Sequence, residues 1–311
     1  MSDKLHLSIS PHIHSKKTVQ GIMLDVVIAL LLPAIAGVII FGERALLVIS
    51  VCVFSCLMSE FLFNAISKKK QTITDLSAVV TGLILGMNLP CTVPIWQAVI
   101  GSLFAIIVVK CFFGGLGCNV VNPAATARVF MIISFTSLAK NAFPKGVDAV
   151  SGATPLTQIA SGETPSLTKL LLGNYGGTIG ETCAIAILLG GLYLIIRRVI
   201  TVHIPLSYIG TTFVLYLLLE NFNITLATAA ILSGGLLFGA IFMATDYVTS
   251  PATPLGKVVY GVLAGFITVL IRKWGAYPEG VSFAILILNI LNPYIEKLTA
   301  RRVFGGTKHE N

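Results

Sequence analysis

Charge is what this chain has least of. Only 11% of its 311 residues are charged, 13 of them acidic, against 55% hydrophobic residues and a mean hydropathy of +0.91. A soluble domain carries roughly twice that charge, so the chain is read as integral to a membrane. Metal-binding cysteine sets are missing as well. The six cysteines, at 52, 56, 91, 111, 118 and 183, lie in or beside apolar runs, and Cys52-x-x-x-Cys56 has no second pair at iron–sulfur or zinc spacing. They read as buried, inert thiols, Cys118 standing apart because of its loop, and no metal site is expected. No strand–Gly-x-Gly-x-x-Gly–helix unit is present to bind a dinucleotide. The first twenty residues are polar and offer no small-residue cleavage site before the first apolar run, so no cleavable signal peptide is expected.

What the chain does have is apolar runs, at about 21–41, 45–66, 76–90, 95–113, 125–136, 180–196, 201–219, 225–245, 256–271 and 280–295. A helix needs about 20 apolar residues to span a bilayer. The runs at 76–90, 125–136, 256–271 and 280–295 are short, and tilted, broken or re-entrant helices are expected there, with neighbouring protein satisfying the backbone. The fold expected is all-α, about ten transmembrane helices. The net charge of +8 does not point to nucleic acid. With both termini cytoplasmic, Lys4, Lys16, Lys17, Lys68, Lys69, Lys70, Lys110, Arg128, Arg197, Arg198, Lys257, Lys297, Arg301, Arg302 and Lys308 fall inside, and Arg44, Lys140, Lys145, Lys169, Arg272 and Lys273 outside. That asymmetry is what positive-inside topology requires. Trp96 and Trp274, at span ends, read as interfacial anchors.

One long polar segment, 137–178, interrupts the pattern. Polar loops of this length are usually functional. The crossing count places it outside. On either side the halves look alike: Thr81–Gly86 resembles Gly234–Gly239, Gly101–Ala105 resembles Gly261–Gly265, and Asn122-Pro123 resembles Asn292-Pro293. Five crossings per half is odd, so the second repeat is inverted, an arrangement that places binding sites between the halves. The expected organisation is a cytoplasmic segment 1–20, a first repeat 21–136, the extracytoplasmic loop 137–178, a second repeat 179–298 and a cytoplasmic tail 299–311.

Three motifs carry chemistry. Asp148-Ala149-Val150-Ser151-Gly152-Ala153-Thr154-Pro155-Leu156-Thr157 lies in the polar loop and resembles the acceptor sequence on which a dedicated transferase esterifies flavin mononucleotide (FMN) to threonine; otherwise it is a Ser/Gly/Thr surface loop. Gly114-Gly115-Leu116-Gly117-Cys118-Asn119-Val120-Val121-Asn122-Pro123-Ala124 combines Gly114, Gly115 and Gly117, which let backbone approach a flat ligand, with Asn119 and Asn122, which offer both donors and acceptors. Its plainer reading is a turn capping two half-helices. Phe242–Lys257 sets Asp246 beside Thr245, Thr249 and Ser250, an oxygen-rich group suited to Na+ or a proton relay, or else a helix end satisfied by interfacial water and Lys257. Asp75 and Glu181 sit at helix starts, where the helix dipole accounts for them. Asp25 and Glu60 lie inside apolar runs, where ion transport and pairing with partner subunits explain them equally.

The three motifs together resemble the family that contains the D subunit of the Rnf electron-transport complex and the B subunit of the Na+-translocating NADH:quinone reductase (Nqr), over about residues 15–305. The resemblance implies FMN on Thr154 through a phosphoester, within Asp148, Ser151, Gly152 and Ala153. It implies a second, non-covalent flavin, riboflavin or FMN, at the 114–124 loop, and an ion pathway through Asp246, Asp75 and Thr245. It further implies a multi-pass protein of a bacterial or archaeal cell membrane, working in an ion-translocating ferredoxin:NAD+ oxidoreductase. Its partners would be an FMN-bearing subunit, iron–sulfur subunits, the flavin transferase and Na+ or H+. The electron source and final acceptor, NAD+ or quinone, would sit on partner subunits. Three departures stand out: no long N-terminal extension of the Nqr type, Tyr247 where many relatives have proline, and Cys118 where many have a basic residue. The competing reading is an inverted-repeat solute transporter or channel without a redox role.

Overall fold

The computed structural model describes residues 18–135, 154–275 and 280–300, and among these it is helical throughout, with no strand. The chain enters α1 (Val19–Phe41) through Thr18, whose hydroxyl accepts the Gly21 N–H at 3.1 Å, and leaves it at Gly42, where φ of 79° turns it directly into α2 (Glu43–Ile66). Both helices are apolar around their whole circumference and leave side chains such as Ile39, Phe54 and Ile66 exposed, as a lipid-facing helix does. The first half continues with α3 (Ser77–Met87), then α4 (Ile95–Leu103), which runs on as π-helix over Phe104–Cys111, then α5 (Pro123–Ser134). Two short helices follow within the long polar segment, α6 (Pro155–Ala160) and α7 (Leu167–Leu172). The second half holds α8 (Ala184–Ile196), α9 (His203–Leu219), α10 (Ile224–Leu232), α11 (Leu236–Phe238) with its π-helical continuation Gly239–Met243, α12 (Pro254–Trp274) and α13 (Val281–Thr299).

Among the described residues, four helices, α1, α2, α12 and α13, are long and apolar enough to cross a membrane, or five if the pair Ile224–Leu232 and Leu236–Met243, bent by 63°, counts as one span. The run lengths misplace the break. The short apolar runs at 256–271 and 280–295 lie in full-length helices of 21 and 19 residues, in which Arg272 and Lys273, and Glu296 and Lys297, cut the apolar pattern without ending the helix. The longer run 225–245 is the one that breaks, at Ser233-Gly234-Gly235, where Gly234 takes φ of 62°. Arg272 closes that break, donating to the carbonyls of Ala230 at 2.8 Å and Ser233 at 3.2 Å that the interrupted helix leaves open.

Small residues set the closest helix approaches. Gly82 and Gly86, one turn apart on α3, face the α2 backbone at Val53 and Ile49. Gly261 and Gly265 on α12 do the same against Ile204 and Tyr208 of α9. Helices in lipid pack through such close contacts because no hydrophobic gain separates a neighbouring helix from a lipid tail.

The helix ends sort into two groups. At one end, Asp25 of α1 meets Arg197 after α8, Lys257 of α12 reaches Thr201 before α9 at 3.3 Å, and Thr299 of α13 meets Thr253 at 3.0 Å. At the other, Arg44 at the start of α2 donates to the carbonyls of Cys91 and Val93, Lys273 pairs with Glu220, and the Gly180 N–H bonds the Met87 carbonyl at 2.8 Å. The first of these ends holds the candidate site.

Candidate functional site

A cavity opens between the halves, with about 880 Å³ of empty space that is partly open to the outside. The 114–124 loop contributes Leu116, Asn119, Asn122, Pro123 and Ala124, and the 242–248 segment contributes Phe242, Thr245, Asp246, Tyr247 and Val248. Two motifs more than a hundred residues apart in the chain thus share one wall. Ile22, Met23 and Val26 of α1 and Leu194, Val199 and Ile200 supply an apolar side, and Ser77, Thr81 and Lys110 a polar corner. A mostly apolar cleft with a few convergent polar groups is the usual form of a small-molecule or cofactor site.

Local structure places each polar group. Asn122 caps α5, its Oδ1 accepting the Ala125 N–H at 3.1 Å with Pro123 in the first helical position. Its Nδ2 crosses to the other half and donates to the Met243 carbonyl at 3.3 Å. Asn289 of α13 completes the bridge. With its amide oriented to satisfy its neighbours, its oxygen accepts the Asn122 N–H at 2.9 Å and its nitrogen donates to the Thr249 carbonyl at 3.3 Å. Asp246 follows the π-helical segment. One carboxylate oxygen accepts the Val248 N–H at 3.5 Å and the other the Thr249 hydroxyl at 3.2 Å, and Asn119 is a further hydrogen-bond partner. Thr245 turns its hydroxyl back to the Ile241 carbonyl at 2.6 Å.

The remaining expected residues divide. Gly114, Gly115 and Gly117 do not line the cavity; their φ angles of 118°, 98° and 86° make the turn that presents Asn119 and Asn122, and Gly115 and Gly117 face open space. Asp75 stands one residue behind the wall, accepting both the backbone N–H and the hydroxyl of Ser77 at the start of α3. Thr154 lies outside the cavity. It is half-buried at the N-cap of α6, its Oγ1 accepting the Thr157 N–H at 3.4 Å and lying 3.1 Å from the Thr157 hydroxyl. Leu156, two residues on, packs beside Gly234 and Arg272 at the α10–α11 break. Asp148, Ser151, Gly152 and Ala153 fall outside the described residues.

One cluster was not visible in the motifs. Glu60 and Lys110, each 2% exposed, form an ion pair at 2.9 Å, joined by Ser77 and Thr72. Asp25 likewise pairs inside the chain, with Arg197 and the Tyr193 hydroxyl. The signal for the first pair was present: one acid and one base, each alone in its apolar run.

Residues 6–305 match the model of the NQR2, RnfD, RnfE family. The chain belongs to this family. Among relatives, it is 44% identical, over 98% of its length and 96% of the relative's, to the D subunit of the Na+-translocating ferredoxin:NAD+ oxidoreductase complex of Acetobacterium woodii. It is 38% identical, over 96% of each chain, to the D subunit of the proton-translocating ferredoxin:NAD+ oxidoreductase complex of Clostridium ljungdahlii. To the D subunit of the ion-translocating oxidoreductase complex of Aliivibrio salmonicida it is 32% identical, over 97% of this chain and 99% of the relative. Membership of the NQR2, RnfD, RnfE family and the apolar helices together make this a multi-pass membrane protein.

Proposed function

We propose that this chain is the flavin-carrying membrane subunit of an ion-translocating ferredoxin:NAD+ oxidoreductase, passing electrons between FMN esterified to Thr154 and a second, non-covalent flavin in the cavity. The observation that carries the reading is the meeting of Asn119, Asn122, Thr245 and Asp246, from two distant motifs, around one cavity. Asn119 and Asn122 supply amide donors and acceptors for the edge of a flavin ring, and the apolar side of the cavity suits its faces. A flavin there supplies the one- and two-electron chemistry, while the protein sets its position and potential. Thr154 is half-buried, and among the described residues its hydroxyl bonds only within its own turn, to the Thr157 N–H at 3.4 Å and the Thr157 hydroxyl at 3.1 Å, so no packing against another helix is lost on esterification.

The same proposal includes ten crossings in two inverted five-helix repeats with both termini cytoplasmic. End-to-end contacts support it: α1 to α5 begin at the Asp25–Arg197 end and finish at the other, and α8 to α13, counting α10 and α11 as one, run the reverse course. The Lys68–Lys70 loop then faces the cytoplasm with the cavity, and Thr154 lies toward the opposite face, near the segment expected outside. Ion-pathway roles fall to Asp246, with Thr245 beside it, and to Asp75. The partners are the FMN-bearing and iron–sulfur subunits of the complex and the flavin transferase. The pumped ion is Na+ or H+; relatives are named for each.

The test is flavin content. Thr154→Val, made with its transferase, should lose denaturation-resistant fluorescence and the FMN mass increment but keep the extractable flavin. Asn122→Leu should do the reverse. Retention of bound FMN by the Thr154 variant, mapped to Thr157, would move the attachment site. A wild-type protein holding neither flavin would leave the transporter reading in its place.

A further inference from the structure

A chain of hydrogen-bonded groups leads from the cavity wall to the surface. Lys110 and Ser77 are wall residues. The Lys110 ammonium donates to both Glu60 oxygens at 2.9 Å and to the Ser77 hydroxyl at 2.6 Å. Thr72 donates to Glu60 Oε1 at 2.6 Å and accepts from Asn64 Nδ2 at 3.1 Å. Glu60 and Lys110 are almost fully buried, but Thr72 is exposed, close to Lys68–Lys70 in the chain. Every step between cavity and solvent is a group that can exchange a proton.

Stability alone is a poor reason for such a pair, because apolar residues of similar volume commonly hold a buried site as well or better. Ionisable groups within a membrane protein are costly and mark ion or proton routes. The backbone around Lys110 points the same way. Lys110 lies on the π-helical stretch Phe104–Cys111, and such stretches concentrate at functional positions.

We propose that Lys110 delivers the proton taken up when the redox ligand of the cavity is reduced, with Glu60 and Thr72 as its supply line. This rests on the flavin reading of the cavity; a reduced flavin ring takes up protons as well as electrons, the electrons coming from the donor side of the complex. The Lys110 ammonium gives one proton to the ring and is left as an amine. Glu60, the carboxylate of the pair, takes one proton from the Thr72 hydroxyl and hands one on to that amine, and Thr72 recovers one from surface water. The net change is one proton moved from water to the ligand, with the three residues returned to their starting states. A desolvated lysine can release its proton, whereas a guanidinium holds it. The groups facing Lys110 are Glu60 and Cys56 of α2, Asp75 through Ser77, and the adjacent Cys111, with Lys69 farther out and Asp246 also lining the cavity.

The experiment uses the purified complex with its native flavins, reduced by a light-driven electron donor, with proton uptake followed by a pH dye and flavin content measured by extraction. Lys110→Arg keeps the charge but not the releasable proton. It should retain the extractable flavin and slow proton uptake about a hundredfold, the low end of the effect of a positioned proton donor. Thr72→Val, at the exposed end and away from the ligand, should slow uptake in the same direction and decides the matter if the arginine variant does not assemble. Uptake at the wild-type rate in Lys110→Arg, or in Thr72→Val where that variant stands alone, overturns the proposal while leaving the flavin reading intact. Absence of extractable flavin from the wild-type complex overturns the flavin reading itself, and this inference with it.

Discussion

Removing one member of the Glu60–Lys110 pair leaves the other charged and stranded among α2, α3 and the π-helical segment. Loss of one partner of a buried ion pair costs about 3–5 kcal/mol. For a chain of this size each kcal/mol lowers the melting temperature by about 2–4 °C, so Glu60→Leu and Lys110→Met should each lower it by on the order of 10 °C. The double variant strands no charge. Ser77 still has Asp75 as acceptor, and Thr72, being exposed, regains water in place of Glu60. Its loss should stay within about 1–2 kcal/mol, so the cycle should return a coupling of at least about 3 kcal/mol. Thermal unfolding of the four proteins in one detergent measures this directly. Single variants that melt within a few degrees of wild type, or a double variant as unstable as the two losses added, would show that the pair is solvated or unformed.

Asp246→Asn preserves size and the hydrogen bonds from Val248 and Thr249; it should retain flavin in the assembled complex yet lose ion transport or require more Na+ for turnover, and unchanged Na+ dependence with unchanged pumping would exclude Asp246 from the ion path. A Cβ at Gly261 would run into the Ser207 hydroxyl and stand 2.9 Å from the Ile204 carbonyl, so Gly261→Val should force α12 off α9 and cost about 1–3 kcal/mol or more, read as reduced thermal stability of the folded chain. Cysteines placed at Lys69 and Lys145 in a background without native cysteines should label from opposite faces of sealed vesicles; labelling from one face would remove the inverted repeat.

The motifs made the cavity legible because Asn119, Asn122 and Asp246 are polar residues at breaks in apolar helices, and such residues are conspicuous in a chain this poor in charge. Hydropathy located the helices but mismeasured them. Arg272 and Lys273 in α12, and Glu296 and Lys297 in α13, end the apolar count before the helix ends, so both look short, whereas Ser233-Gly234-Gly235 interrupts the helix while leaving the count intact. Lys110 and Arg128 enter the inside count in the sequence, yet both are buried within helices rather than standing in loops. Pairings that span tens of residues, Glu60 with Lys110 or Asn122 with Asn289, depend on how helices are stacked, and periodicity within one helix carries no trace of them.

Two π-helical stretches, Phe104–Cys111 in the first half and Gly239–Met243 in the second, border the cavity through Lys110 and through Ile241 and Phe242. Each is a widened turn: the Phe112 N–H reaches back five residues to Ile107 at 3.0 Å, and the Ala244 N–H five residues to Gly239 at 2.8 Å. A widened turn holds a spare residue, and absorbing that residue into regular helix rotates everything beyond it by roughly 100°. The facing of Lys110 toward Glu60, and of Asn122 toward Met243 beyond it, is therefore a matter of phase as much as of position. Deleting one residue within 104–109 would leave the composition of the helix almost untouched and turn its charge away from its partner.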